Sequence, residues 1–372
     1  MNFAIITHVI HGREDNAFFA YEPYVKEMNI WLKNVDSVTI VAPLQNIEKE
    51  SIHLFYSKKK LEFCSIPALN FTSIKDISLS IFSAPIVLKR IYLAMKNADH
   101  IHLRCPGNIG LLGCFIQILF PAKQKTAKYA GNWDSKSKQP LSYRIQKWIL
   151  NNTFLTRNIE VLVYGEWEGI SKNSKPFFTA SYYEKDKKEI SKKSLNNKIN
   201  FLFVGSLTQG KNPLYAIQLL EQLASKGHNV QIDLYGEGKE RVVLESYIQE
   251  NKLENFVFIK GNQHKDIVQE AYETSHFLIL PSKSEGWPKV VAEAMFWGCL
   301  PIVTPISCVP NILDNGGRGV LLSMILENDF KHIQEIISNQ ELYDSKTKNA
   351  VVWSRKYTID TFENEIKLLL KV

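Results

Sequence analysis

The sequence predicts an α/β protein of two domains, each a parallel sheet with helices on both faces. Three observations lead there. At 372 residues the chain exceeds what one ordinary hydrophobic core organises, and it suits two domains of about 180 residues each. Short apolar runs alternate with helical stretches along both halves, the pattern of parallel strands joined by crossover helices. Midway, Ser171 to Lys198 is rich in Lys, Ser and Asn and poor in apolar periodicity, which reads as linker and surface turns. The expected division is a domain over 1–190, a second over 191–352, and a closing helix over 353–372.

Composition narrows the class. With 45% hydrophobic and 22% charged residues the chain is an ordinary globular one, so disordered and collagen-like classes are excluded. Phe3-Ala-Ile-Ile reads as a strand straight after Met1, without the basic and apolar segments of a signal peptide. The longest apolar candidate for a membrane span, Ile109 to Phe120, is too short and reads as a buried helix. Cys64, Cys105, Cys114, Cys299 and Cys308 have no metal-ligand spacing and an odd count. A reduced, cytoplasmic protein is expected. Charge is uneven: residues 51–150 hold 15 Lys and Arg against 4 Asp and Glu. Solvated lysines explain this as readily as an anionic membrane surface does. Nucleic acid is not expected as a partner, because the basic residues lack interleaved aromatics or a binding motif.

In chain order, the first half reads as Phe3–Thr7 (strand), Tyr21–Leu32 (helix), Ser37–Val41 (strand), Ile86–Lys96 (helix), His100–Leu103 (strand), Ile109–Phe120 (helix), Thr126–Ala130 (strand), Leu141–Leu150 (helix) and Val161–Tyr164 (strand). In such sheets ligands sit beyond the carboxyl ends of the strands. That rule selects three loops: one with His11, Gly12 and Arg13, one running from His102 through Arg104 to Asn108, and one with Asn132 and Trp133. His8 and His100 read as structural. No carboxylate or cysteine near these histidines has metal-ligand spacing, so no metal is expected. Gly12 suits a turn as well as a ligand loop. Trp133, between Asn132 and Asp134, suits stacking on a sugar face as well as plain packing, and stacking is the reading preferred here.

The second half opens with the strand Asn200–Val204 and a loop, Gly205-Ser-Leu-Thr-Gln-Gly-Lys211, leading to a helix with Asn212 as N-cap and Pro213 in its first turn. Val230–Tyr235 is a strand followed by Gly236-Glu237-Gly238, and Phe256–Lys260 is another ending at Gly261. The organising stretch is Phe277 to Gly298: a buried strand to Leu280, a loop carrying Glu285, then a helix beginning at Pro288 and ending at Gly298. Glu293 lies eight positions after Glu285, on the face of the helix shared by Val290. The unpaired N–H groups of Lys289 and Val290 offer an anion site, and carboxylates accept from sugar hydroxyls. Leu300–Thr304 and Gly319–Leu322 complete the strands.

Pro281-Ser-x-x-Glu285-Gly286-x-Pro288 followed by Glu293-Ala-Met resembles the Glu-x7-Glu signature of the retaining glycosyltransferases of family 4. The resemblance implies the GT-B fold: two facing Rossmann-like domains, the first on the acceptor side, the second binding the nucleotide sugar, and a C-terminal helix returning to the first. It implies that Glu285 positions the sugar together with Gly286 and Trp287, and that Glu293 anchors the ribose. Lys211 matches the lysine that holds the diphosphate, whereas Ser206, after Gly205, replaces the family's arginine, so either the second charge comes from elsewhere, with Arg13 and Lys289 as candidates, or the pyrophosphate is held less tightly. Gly236 and the backbone at Lys260 correspond to turns near the nucleotide. Alignment of the following proline with Pro106 puts Arg104 where the family commonly carries a donor-contacting histidine, with His102 two residues before it. Gly12 matches a glycine loop approaching the diphosphate. Ser307-Cys-Val-Pro-Asn311 stands where the family has Gly-Gly-x-Pro-Glu.

The function so implied is retaining transfer of a sugar from a nucleotide-diphosphate sugar to a hydroxyl of a glycan or lipid-linked acceptor, in bacterial surface polysaccharide assembly. No cofactor is needed, and with no Asp-x-Asp pair in the chain transfer is expected to be metal-independent. The alternatives are a nucleotide-sugar epimerase on the same fold and a non-catalytic partner subunit that binds sugar nucleotide. A nicotinamide oxidoreductase is disfavoured, since no Gly-x-Gly-x-x-Gly follows a strand.

Overall fold

A computed structural model describes residues 1–50, 52–69, 74–134 and 137–372. It divides into two compact units: residues 1–178 with 362–372, and residues 179–361. The division therefore falls before residue 190, and residues 353–361 stay with the second unit.

The first unit is built on a seven-stranded parallel sheet. Its spatial order is Ser174–Phe177, Ile159–Tyr164, Gln124–Tyr129, His100–Cys105, Asn2–Ile6, Ser37–Pro43, Leu61–Ile66. The chain starts in the centre, winds to one edge through Ser37–Pro43, then returns across Asn2–Ile6 to build the other side. The helix Glu22–Leu32, with Pro23 in its first turn, buries Val25, Met28 and Trp31. Ile74–Asn97, Asn108–Ile116 and Leu141–Asn151 contribute Ile91, Met95, Cys114 and Ile149 to one apolar core with Ile6, Leu103 and Val161. The last helix, Ile359–Leu370, buries Phe362 against Phe177 (5.3 Å between ring centres) and Phe178 (5.7 Å).

Three features depart from expectation. His11–Glu14 is not a loop: it pairs antiparallel with Ala17–Tyr21, which pairs with His53–Phe55. Ser174–Phe177, inside the presumed linker, is an edge strand. Ile109–Phe120 is helix and 3-10 turn as expected, but its outer side is not buried, since Phe115 and Leu119 are exposed.

The second unit has a six-stranded parallel sheet in the order Val257–Gly261, Val230–Tyr235, Ile199–Val204, Phe277–Leu280, Leu300–Val303, Val320–Leu321. Phe277–Leu280 and Leu300–Val303 are buried throughout, as continuous apolar strands between two helical layers should be. Trp353 closes the helix Gln340–Ser354, so the helix expected over 353–372 is two helices with a break at 355–358.

Candidate functional site

A doubly wound sheet opens a crevice where neighbouring strands send their following loops to opposite faces. In the second unit that point lies between Ile199–Val204 and Phe277–Leu280. The two loops leaving it meet. Lys211 from the first is 2.5 Å from Glu285 of the second, with the carboxylate nearly buried and the ammonium about one-third exposed. The Lys283 N–H donates to the Gly210 carbonyl at 2.8 Å and fastens the loops beside this pair. The sequence brings Lys211 and Glu285 together from 74 positions apart.

The glycine loop of the next strand locks the crevice floor. The Gly205 N–H donates to Tyr235 and the Leu207 N–H to Glu237, both at 2.9 Å. A β-carbon on Gly236 would lie 1.9 Å from the Gly205 carbonyl oxygen, so only glycine lets these backbones approach. Gly236 and Gly205 thus serve loop-on-loop packing. Ser206 lies in the same loop, and its carbonyl accepts from Thr208. Lys260, at the end of the adjoining strand, is 3.7 Å from Asp233.

Lys289–Phe296 forms a helix with Pro288 as its N-cap residue. The Lys289 N–H is not unpaired, because it donates to the Trp287 carbonyl at 2.9 Å. The Gly286 carbonyl accepts from the Ser307 hydroxyl and the Cys308 thiol, each at 3.2 Å, so the departure from the family's glycine pair has a structural use. Glu293 accepts from the Ser181 hydroxyl and, at 3.2 Å, from the buried Tyr272 hydroxyl, partners that spacing arguments along one helix did not reveal. Trp287 lies near the Trp353 and Tyr357 rings. Asn212 precedes Pro213 as expected, but in a left-handed conformation (φ 53°) and without a side-chain capping bond.

In the first unit the corresponding crevice opens between Asn2–Ile6 and His100–Cys105. Several residues expected there are elsewhere. His102 is fully buried in the core: its Nδ1 bonds the Thr126 hydroxyl at 2.8 Å, and its ring packs on Phe3 and Trp31. Burial, with Arg104 nearby, holds its pKa well below the usual histidine value. Trp133 is core, edge-on to Tyr129 at 4.8 Å and under Lys147, rather than a free sugar platform. Asn132 caps its own turn by accepting from the Asp134 N–H at 2.8 Å. Gly12 lies in a strand beneath Phe19, whose ring would be 2.2 Å from an added β-carbon, so it is not a diphosphate loop. Arg13 ties down the turn, donating to the Asp15 carbonyl and to Asn16. His11 is buried between Val9 and Tyr56, at 2.8 Å from each, and burial lowers its pKa to about 4.

Arg104 does reach the end of its strand. It is largely buried, pairs with Glu27 at 2.5 Å and stacks over Tyr24. Glu27 also accepts from the buried Lys128 at 3.1 Å. The side chain at the switch point itself is His8, beside Gly107, with a pKa lowered by desolvation of its ring and then by the Arg104 charge. Sequence reasoning had left it structural, although its place one residue after Thr7 in the loop of the central strand was the available signal. Among the described residues no group of three or more His, Cys, Asp or Glu side chains is arranged to hold a metal.

The protein-family description "Glycosyl transferases group 1" matches residues 184–353, the region that contains Lys211, Glu285 and Glu293. An uncharacterized glycosyltransferase of Haemophilus influenzae is 32% identical over 181 residues, 47% of this chain and 50% of that protein. Another, from Methanocaldococcus jannaschii, is 28% identical over 158 residues, 42% of this chain and 43% of that protein. The chain spans about half the length of the curated relatives it matches. The crystal structure of Anabaena Alr3699/HepE in complex with UDP aligns over 100% of both chains at 16% identity with a TM-score of 0.70. The fold is GT-B, with two Rossmann-like domains.

Proposed function

We propose that this chain is a retaining glycosyltransferase of family 4 that moves a sugar from a nucleotide-diphosphate sugar to a hydroxyl of a glycan or lipid-linked acceptor. The observation that carries the reading is the contact of Lys211 with Glu285 at the switch point of the second unit, inside the region matching the glycosyl transferase family. Lys211 faces the charge that develops on the leaving diphosphate. Glu285, with Gly286 and Trp287, positions the sugar. Glu293, fixed by Tyr272 and Ser181, accepts from the ribose diol. Before donor binds, Glu285 neutralises Lys211; an arriving diphosphate takes over the ammonium and frees the carboxylate for sugar hydroxyls. The setting proposed is cytoplasmic assembly of bacterial surface polysaccharide, without a metal or other cofactor.

The test is turnover of UDP- and GDP-sugars, with the product anomer assigned by NMR. Glu285→Ala is expected to abolish transfer with the melting temperature retained, and wild-type rates in that variant would remove the assignment. Isomerised donor without an acceptor would instead indicate an epimerase, and binding without turnover a partner subunit.

A further inference from the structure

The first unit carries an outer helical face whose chemistry the transfer reaction does not use. From Cys105 to Ala122 the chain has no charged residue, yet the helix Asn108–Ile116 and the turn Gln117–Leu119 expose Phe115 and, at 61%, Leu119. A helix apolar on all sides is ordinarily buried on all sides. Its neighbours extend the apolar surface rather than cover it. Tyr92 and Leu93 are exposed on Ile74–Asn97, Trp148 (63%) on Leu141–Asn151, and Phe154 (72%) on the turn that follows.

These elements are contiguous. Tyr92 packs 5.3 Å from Phe120, Gln117 donates to the Leu155 carbonyl at 3.2 Å, Asn158 donates to the Pro121 carbonyl at 3.0 Å, and Lys123 donates to the Lys96 carbonyl at 2.6 Å. The charges among the apolar residues are predominantly basic, with Asp99 and Glu160 exposed at the border. Lys89, Lys96, Arg144 and Arg157 are exposed on the same elements, and between Asp99 and Glu160 the sequence holds one acidic residue, Asp134. Arg157 lies over the Phe154 ring at 5.0 Å.

We infer that this face docks on an anionic lipid bilayer. Tryptophan, tyrosine and phenylalanine sit well at the headgroup boundary, and lysine and arginine beside them meet anionic headgroups. Among the described residues no helix is long and apolar enough to cross a membrane, so the contact is peripheral. A protein partner would have to supply an acidic apolar surface, and a second copy of this face would oppose like charges. The inference stands apart from the catalytic reading, because lipid binding is read without turnover.

The experiment is co-sedimentation of the full chain with vesicles of phosphatidylcholine alone and of phosphatidylcholine mixed with phosphatidylglycerol, at low and high salt, beside sedimentation velocity without lipid. The wild type should partition onto the anionic vesicles and release with salt. Leu119→Glu and Trp148→Glu should each lower the partition coefficient roughly tenfold or more, with the melting temperature unchanged. Should either variant fold poorly, Lys89→Glu combined with Arg157→Glu reads the same face through charges alone and should weaken binding comparably. The inference is overturned if the wild type stays in the supernatant with anionic vesicles at low salt, or if folded variants sediment as the wild type does. A wild-type dimer that becomes monomeric in Leu119→Glu, without vesicle binding, would overturn it in favour of self-association.

Discussion

Lowering the pH from 7 to 5 should destabilise the first unit far more than its carboxylates alone explain. His11 and His100 are buried and neutral, each with a pKa lowered by burial to about 4, and burial holds His102 well below the usual histidine value. In an unfolded chain these groups take up a proton near pH 6.5. Between that value and 4 the unfolded chain binds more protons than the folded one, so acid favours unfolding. The stabilisation is complete above pH 6.5 and is lost as the pH falls toward 4. At pH 5 the loss is about 2 kcal/mol for each of His11 and His100, or about 4 kcal/mol together. For a unit of this size that is a fall in melting temperature of about 10 °C. The window matters because most carboxylates remain ionised at pH 5. The assay is thermal or urea unfolding at pH 7 and 5, followed by hydrogen exchange so that the two units are read separately, with His11→Gln and His100→Asn as controls. Each substitution should flatten the pH dependence even where it lowers stability at pH 7. Equal stability of the first unit at both pH values, or NMR titration of His11 and His100 near 6.5, would refute the reasoning.

Glu27→Gln should cost the first unit roughly 3–5 kcal/mol in urea unfolding, because it removes the carboxylate that the buried cations Arg104 and Lys128 share. Gly236→Ala should cost the second unit roughly 1–3 kcal/mol by forcing a methyl group against the Gly205 carbonyl. Gly210→Ala, whose nearest neighbour is Thr208 at 3.9 Å, should fold normally. Sugar transfer should survive EDTA, and complete loss of activity restored by Mg²⁺ would contradict a metal-independent reaction.

Legibility differed between the units for a physical reason. In the second, strands such as Phe277–Leu280 are plain apolar runs, and the loops bearing Lys211 and Glu285 stand out between them, so the succession of strand, loop and helix is legible in the sequence. The first unit puts polar side chains inside its strands. His100, His102 and Arg104 alternate along His100–Cys105, all buried, and their partners Thr126 and Glu27 come from elements that no local pattern connects to them. A histidine solvated in a loop and one bonded to a buried threonine look alike in a sequence. The hairpin at His11–Glu14 was missed although Asp15-Asn16 between alternating residues is a two-residue turn signal. Its aromatic strand was overshadowed by the expectation of a glycine loop.

The same contrast explains why similar topologies are equipped so differently at their crevices. Both sheets start in the middle and wind outward, so both create a switch point beside their first strand. In the second unit the two loops flanking that point are joined by backbone and ionic contacts, which fixes Lys211 against Glu285. In the first, the loop after the opening strand turns into an antiparallel hairpin, and His8 is left beside Gly107 while Arg104 is braced from below by Glu27. The second unit's crevice is thus fixed by an ion pair from loop to loop, and the first unit's by a buried carboxylate shared between two cations.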